Sequence, residues 1–147
     1  MPKQAIHSRD APTAIGPYSQ AILVGGTLYM SGQIPLDPET MQIVDGIEAQ
    51  THQVFRNLRA VAGAAGATLD DIAKLTILLV DLGDFAKVNE IMATYFQAPY
   101  PARATYQVAA LPRGSRIEVE AILAMPMQGD ADAQTGWLQT FDQTKGQ

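Results

Sequence analysis

Some segments of this chain have apolar residues at the two-residue period of strands, and others have them at the 3.6-residue period of helices. The order of these segments limits the fold classes that the chain can adopt. Two short apolar runs, residues 19–24 and 28–34, flank the pair Gly25-Gly26. Two strands around a Gly-Gly pair are typical of a β-hairpin. The chain is therefore predicted to begin with a hairpin.

Two segments follow with helical spacing. The first begins at Ile47, and Gly66 lies where such a helix would end. The second has an apolar stripe that begins at Phe85, with Asp84 as its candidate N-cap and Pro99 at its end.

Three further strands, 74–81, 102–109 and 116–125, complete the pattern. The order β-β-α-β-α-β-β predicts an α+β fold in which two helices pack on one face of a mixed β-sheet. On the last strand, Glu118 and Glu120 share a side with Ile122 and Ala124. A strand face that mixes carboxylates with apolar side chains indicates a subunit interface with a polar pocket.

Length and composition indicate one domain. The 147 residues suit a single core, which we assign to residues 1–126. Residues 127–147 are rich in Gln, Asp, Thr and Gly, and we interpret them as a flexible tail.

Several functional classes are disfavoured by residue content. The net charge of −5 makes nucleic acid an unlikely partner, and the absence of cysteine excludes disulfides and thiolate chemistry. The two histidines show no metal-ligand spacing, and neither a membrane span nor a secretory signal is visible. We expect a cytoplasmic protein, with a mitochondrial or peroxisomal pool as the alternative.

Arg103 stands alone in an otherwise uncharged strand. A buried guanidinium needs an anionic partner, which would be either a ligand carboxylate or an internal Glu118 or Glu120. The spacing leaves both open. If strands 102–109 and 116–125 pair in the right register, Arg103 shares a face with the two glutamates.

Four other residues are weaker site candidates. Gly32, after Ser31, permits close approach of a ligand or another backbone, or else marks a β-bulge. Tyr18 is a candidate mobile phenol near a pocket, with packing as the alternative. Asn89 lies beside the second helical stripe, where a structural amide is the usual role.

The chain resembles the reactive intermediate deaminase family (RidA, also called YjgF), most closely its animal-type branch. The resemblance covers residues 5–126 in order. Its motifs are Ala-Ile-Gly-Pro-Tyr-Ser-Gln-Ala at 14–21, Ser-Gly-Gln-Ile at 31–34, Asp-Phe at 84–85 with Val-Asn-Glu at 88–90, Pro-Ala-Arg-Ala-Thr-Tyr-Gln-Val-Ala-Ala-Leu-Pro at 101–112 and Ile-Glu-Val-Glu-Ala at 117–121.

The resemblance implies a chorismate-mutase-like subunit assembled as a homotrimer, with ligand sites between neighbours. It also implies hydrolysis of 2-aminoacrylate, 2-iminopropanoate and 2-iminobutanoate to 2-oxo acids and ammonia, with no cofactor and no metal. An imine is already electrophilic, so orientation and a positioned water suffice.

By the same resemblance, Arg103 would clamp the substrate carboxylate and Glu118 would hold or activate the water, while Glu120 would be structural. Thr105, where many bacterial members have cysteine, would lie near the substrate side chain. The other pocket residues would be Tyr18, Ser31, Gly32 and Asn89.

Two alternatives to this enzyme remain open at the level of sequence. One is an RNA-directed role as an endoribonuclease or translation inhibitor, which the acidic charge disfavours. The other is a ligand-binding or chaperone-like trimer without turnover.

Overall fold

In the described part of the chain, six strands form a single mixed sheet, and two α-helices pack on one of its faces. A computed structural model describes residues 2–126; the predicted tail, 127–147, lies outside the described residues. In chain order the elements are β1 (Gln4–Ile6), β2 (Ala21–Val24), β3 (Thr27–Gln33), α1 (Ile47–Ala64), β4 (Ile72–Leu79), α2 (Phe85–Met92), β5 (Ala102–Gln107) and β6 (Ile117–Ala124). The predicted α+β class is confirmed.

The strand order in space is β1-β2-β3-β6-β4-β5. Only β4 and β5 are parallel, with α2 in the connection between them. Because β6 inserts between β3 and β4, β5 and β6 are not neighbours. The pairing considered for strands 102–109 and 116–125 is therefore wrong.

The hydrophobic core lies between the sheet and the helices. Val54, Phe55, Leu58 and Val61 of α1 are fully buried, at the spacing that the sequence predicts. Burying a side chain the size of Phe or Leu contributes about 1.5–3 kcal/mol. Gly66, with φ of +85°, follows the end of α1, as predicted.

The opposite side of the sheet, here called the open face, carries the outward residues of β3 to β6. No helix of residues 2–126 covers it. Tyr29, Tyr106 and Ile122 on this face are 52%, 57% and 38% exposed. Large exposed side chains on a sheet are one mark of a protein interface. The subunit interface that the mixed pattern of β6 predicts stays a prediction.

Three local predictions need correction. β1 was not predicted, because three residues are too few to show a period. The second helix ends at Met92 rather than near Pro99, although Phe96 beyond it still reaches the core. Asp84 precedes this helix but does not cap it with its side chain; its carboxylate instead binds Arg116 through both oxygens, each at 2.8 Å.

Within residues 2–126, no helix has the length and apolar character needed to span a bilayer.

Candidate functional site

The two faces of the sheet carry the two halves of the candidate site. In β6, Ile117, Val119, Ala121 and Leu123 are buried against the helices, so the residues between them project from the open face. Glu118 and Glu120 lie on that open face, as the sequence predicts.

Arg103 projects from the helix side, at the edge of the sheet. It pairs with Leu75, which is fully buried beneath the helices. Its Nη1 donates to Asn89 Oδ1 at 2.6 Å and lies 3.5 Å from Met92 Sδ, and its guanidinium lies 5.2 Å from the centre of the Phe85 ring. These contacts from one face of α2 fix the direction of the guanidinium.

The contacts of Arg103 leave its charge available. A guanidinium has five N–H donors, and Asn89 is a neutral acceptor. Arg103 and Asn89 line a cavity of about 470 Å³ together with Met92, Ala93, Tyr100 and Pro101. A carboxylate bound in this cavity could accept two hydrogen bonds from the oriented guanidinium of Arg103.

The internal ion pair considered for Arg103 does not form. In the described part of the chain, the ion pairs are Lys87–Glu90 and Arg116–Asp84. Arg103 is also exposed, whereas the argument from sequence assumed that it was buried. Residues 2–126 therefore supply no carboxylate to Arg103.

Glu118 packs against Gly32 across the junction between β3 and β6. The pairing of these strands is irregular between Met30 and Gln33, so the bulge that the sequence suggested is present. A Cβ placed on Gly32 would lie 2.7 Å from Glu118 Oε2 and 2.9 Å from its Cδ. The glycine therefore makes room for the carboxylate. The close approach is made by a side chain of the same chain, and the approach of a ligand to Gly32 stays a prediction.

Burial and charge both act on Glu118. Desolvation of the half-buried carboxyl is the larger cause that raises its pKa above the ordinary value, and the negative charge of Glu120 is the smaller one. A carboxylate with a raised pKa is a stronger base when it is deprotonated.

The cavity at Glu118 has a volume of about 430 Å³ and is mostly apolar. Tyr18 lines it and is 54% exposed, so its phenol is accessible. Gly32 also lines the cavity. The remaining lining residues are Pro12, Thr13, Ile15, Ile34, Leu36, Met41, Pro112 and Arg113.

Ser31 holds the loop that carries Tyr18. Its Oγ donates to the carbonyl of Ser19 at 2.6 Å, and its N–H donates to the carbonyl of Gln20 at 3.0 Å. The buried Gln20 amide in turn donates to the carbonyl of Pro12 at 2.8 Å. Ser31 is absent from the lining of this cavity in the single chain, so its predicted contact with a ligand stays a prediction. The part that Gln20 takes in holding the loop was not predicted.

Thr105 follows Arg103 on the same side of β5 and pairs with the buried Ile77. Its Oγ1 is buried and has no hydrogen-bond partner among the described residues. It is absent from the lining of the Arg103 cavity, so its predicted place near a substrate side chain stays a prediction. Glu120 is exposed and lines a separate cavity with Lys74 and Thr76.

Arg103 and Glu118 do not face each other within one chain. Glu118 is aligned across β4 with Tyr106, three residues along β5 from Arg103. Two strand spacings and three residue rises separate their Cα atoms by about 14 Å. Their side chains also leave opposite faces of the sheet. The chain thus carries two half-sites, an Arg103 half and a Glu118 half.

Among the residues described, no group of three or more His, Cys, Asp or Glu side chains is placed to bind a metal ion.

Known proteins are similar to this chain over a range that includes both Arg103 and Glu118. The profile of the family described as Endoribonuclease L-PSP matches residues 8–125. The 2-iminobutanoate/2-iminopropanoate deaminase of Mus musculus is 52% identical over 121 residues, which cover 82% of this chain and 90% of the mouse protein.

Solved structures give the same result. RidA from the Antarctic bacterium Psychrobacter sp. PAMC 21119 is 50% identical with a TM-score of 0.82, covering 83% of this chain and 99% of that one. TdcF from E. coli, solved with bound serine, is 40% identical with a TM-score of 0.81, covering 84% of this chain and 99% of TdcF.

Proposed function

Because the chain belongs to the Endoribonuclease L-PSP family, which includes RidA, we propose that it is a hydrolytic deaminase of 2-imino acids. Its substrates are 2-iminobutanoate and 2-iminopropanoate, together with the enamine 2-aminoacrylate. The products are the 2-oxo acids and ammonia. The observation that carries the proposal is Glu118, a half-buried carboxyl of raised pKa held against Gly32 at an accessible cavity.

The two half-sites would be joined by assembly of a homotrimer. The open face exposes Tyr29, Tyr106 and Ile122, a surface suited to a second copy of the chain. A neighbour docked there would bring its Arg103 to the Glu118 cavity. The separation of Arg103 from Glu118 within one chain supports this arrangement.

Arg103 binds the substrate carboxylate in this mechanism. Asn89 accepts from Nη1 and so leaves the other guanidinium donors directed at the ligand. Fixing the carboxylate orients the adjacent C=N carbon toward Glu118 of the neighbouring subunit. Tyr18 and Gly32 would contact the ligand from the Glu118 half.

Glu118 supplies the base. Its carboxylate takes a proton from water while the water oxygen forms a bond to the imine carbon and the C=N π electrons move to nitrogen. Glu118 passes this proton to the nitrogen, which gives a carbinolamine. It then takes the hydroxyl proton and delivers it to the amino group while the C–N bond breaks, so that ammonia leaves and the C=O group of the 2-oxo acid forms. One water is consumed for each ammonia released, so no metal or redox step is needed.

A coupled assay tests the proposal. Threonine dehydratase generates 2-iminobutanoate, semicarbazide competes for it, and the release of 2-oxobutanoate is followed. We expect wild-type protein to accelerate release, and Arg103→Ala and Glu118→Gln to abolish the acceleration. Arg56→Gln, at an exposed position of α1, is the matched control.

Two results would contradict the proposal. Folded wild-type protein that gives no acceleration would leave a ligand-binding trimer as the better account. Ribonuclease activity that co-purifies with wild type and disappears in Glu118→Gln would favour the RNA-directed function instead.

A further inference from the structure

We propose that Arg113 forms a second anion-binding position in the Glu118 cavity and extends the substrate range to 2-imino acids with a side-chain carboxylate. The proposal rests on the proposed function and names a substrate class for the same site. It is carried by the backbone, the charge and the surroundings of Arg113, a residue that the sequence analysis did not single out.

The backbone holds Arg113 in an unfavourable conformation. Its φ and ψ are 58° and 26°, in the left-handed region that residues with a Cβ rarely adopt. Its Nη1 donates to the carbonyl of Met41 at 3.0 Å. Met41, with φ of 57°, is the other non-glycine residue of 2–126 with a positive φ. Two strained residues thus meet through one hydrogen bond at the cavity, and such strain is concentrated at functional sites.

Within residues 2–126, Arg113 has no counterion. None of the carboxylate oxygens described there lies within 4.0 Å of its guanidinium nitrogens. The carbonyl of Met41 is a neutral acceptor and occupies one donor of the guanidinium. The charge and the other donors remain available to an anion.

The wall of the cavity is less polar than a four-carbon imino acid needs. In the single chain the cavity has a volume of about 430 Å³, and the neighbouring subunit that brings Arg103 would occupy part of it. Ile34, Leu36 and Met41 give it apolar walls. A ligand that fits these features has a short aliphatic stem with an anion at its end. With Arg103 binding the α-carboxylate, the end group would be a second carboxylate, as in 2-iminoglutarate.

Competition between two imines tests this inference on the full-length protein. An L-glutamate oxidase with catalase generates 2-iminoglutarate, threonine dehydratase generates 2-iminobutanoate, and semicarbazide competes for both. The readout is the ratio of kcat/KM for 2-iminoglutarate to kcat/KM for 2-iminobutanoate. R113N suits the left-handed backbone and removes the charge, whereas R113K keeps the charge.

We expect wild type to hydrolyse 2-iminoglutarate, and R113N to lower the ratio about tenfold, as loss of a charge-assisted contact predicts. R113K should retain most of the ratio. R56Q, which removes a positive charge from an exposed helix position, should not change it. A ratio that is the same in R113N and wild type would overturn the inference.

Calorimetry separates failure of this inference from failure of the proposed function. Glutarate and butyrate are stable probes that need no turnover. We expect glutarate to bind wild type more tightly than butyrate and to lose about tenfold in affinity in R113N. If neither imine is hydrolysed but this pattern appears, the proposed function fails and the Arg113 position stands. If the imines are hydrolysed and the affinity for glutarate is the same in R113N and wild type, the proposed function stands and the inference about Arg113 fails.

Discussion

Gly32 and Glu118 act as a pair at the scale of single residues. The sequence predicted a glycine for close approach, and the group that approaches is the Glu118 side chain itself. That partner could not be found from sequence, because it depends on a bulge that shifts the register between β3 and β6.

Gly32→Ala should therefore displace the carboxylate and leave the fold intact. The new methyl would lie 2.7 Å from Glu118 Oε2, so the flexible side chain must move. We expect kcat/KM for 2-iminobutanoate to fall by roughly tenfold or more, since small displacements of a catalytic group are costly. Gly26→Ala, where a Cβ meets nothing within 4 Å, is the matched control. Equal activity in both variants would show that the position of Glu118 is not critical.

The raised pKa of Glu118 predicts an acid limb in the pH profile. The base works as a carboxylate, so kcat/KM should fall as pH drops through this pKa, above the ordinary value of 4.5. The charge of Glu120 contributes to the rise, and Glu120→Gln removes it. The limb should therefore move to lower pH in Glu120→Gln, measured against wild type in the same buffers. A move to higher pH would contradict this assignment.

At the scale of elements, the sequence was informative about strands and helices but not about their neighbours. Periodicity predicted both helices and five of the six strands, because each buries one regular stripe or face. It could not show that β6 lies between β3 and β4. Arg103 and Glu118 were thus identified as site candidates, while their placement on opposite faces required the sheet order.

Helix α1 also shapes the Glu118 cavity, through a buried amide. Asn57 is fully buried, and its Nδ2 donates to the carbonyls of Leu36 at 3.0 Å and Ile34 at 3.4 Å. Both of those residues line the cavity. Its role was not visible from sequence, since a polar residue within a helical stripe has several possible partners.

Asn57→Leu should destabilise the protein by about 1–3 kcal/mol, because it leaves two buried carbonyls without a donor. Chemical denaturation measures the loss. Arg56→Ala, the neighbouring exposed position, should change stability by less than about 0.5 kcal/mol. Equal stability of the Asn57 variant and wild type would mean that water replaces the amide.

At the scale of the whole molecule, the open face supports the proposed assembly. Its exposed Tyr29, Tyr106 and Ile122 are suited to burial against a second chain, and such a contact would join the two candidate half-sites. The mixed pattern of β6 predicted an interface from sequence. The number of subunits came only from the family resemblance, since no pattern within one chain encodes it. The proposed trimer has a mass of about 47 kDa, three times the 15.8 kDa of one chain.

Subunit mixing tests the central claim most directly. Arg103→Ala and Glu118→Gln chains, each expected to be inactive alone, are unfolded together and refolded at equal amounts. The mixture is assayed with 2-iminobutanoate, and light scattering checks for the trimer mass. If each site takes Arg103 from one chain and Glu118 from its neighbour, random mixing restores both residues in about a quarter of the sites. We therefore predict about a quarter of wild-type activity. Mixed trimers without activity would contradict a site shared between subunits.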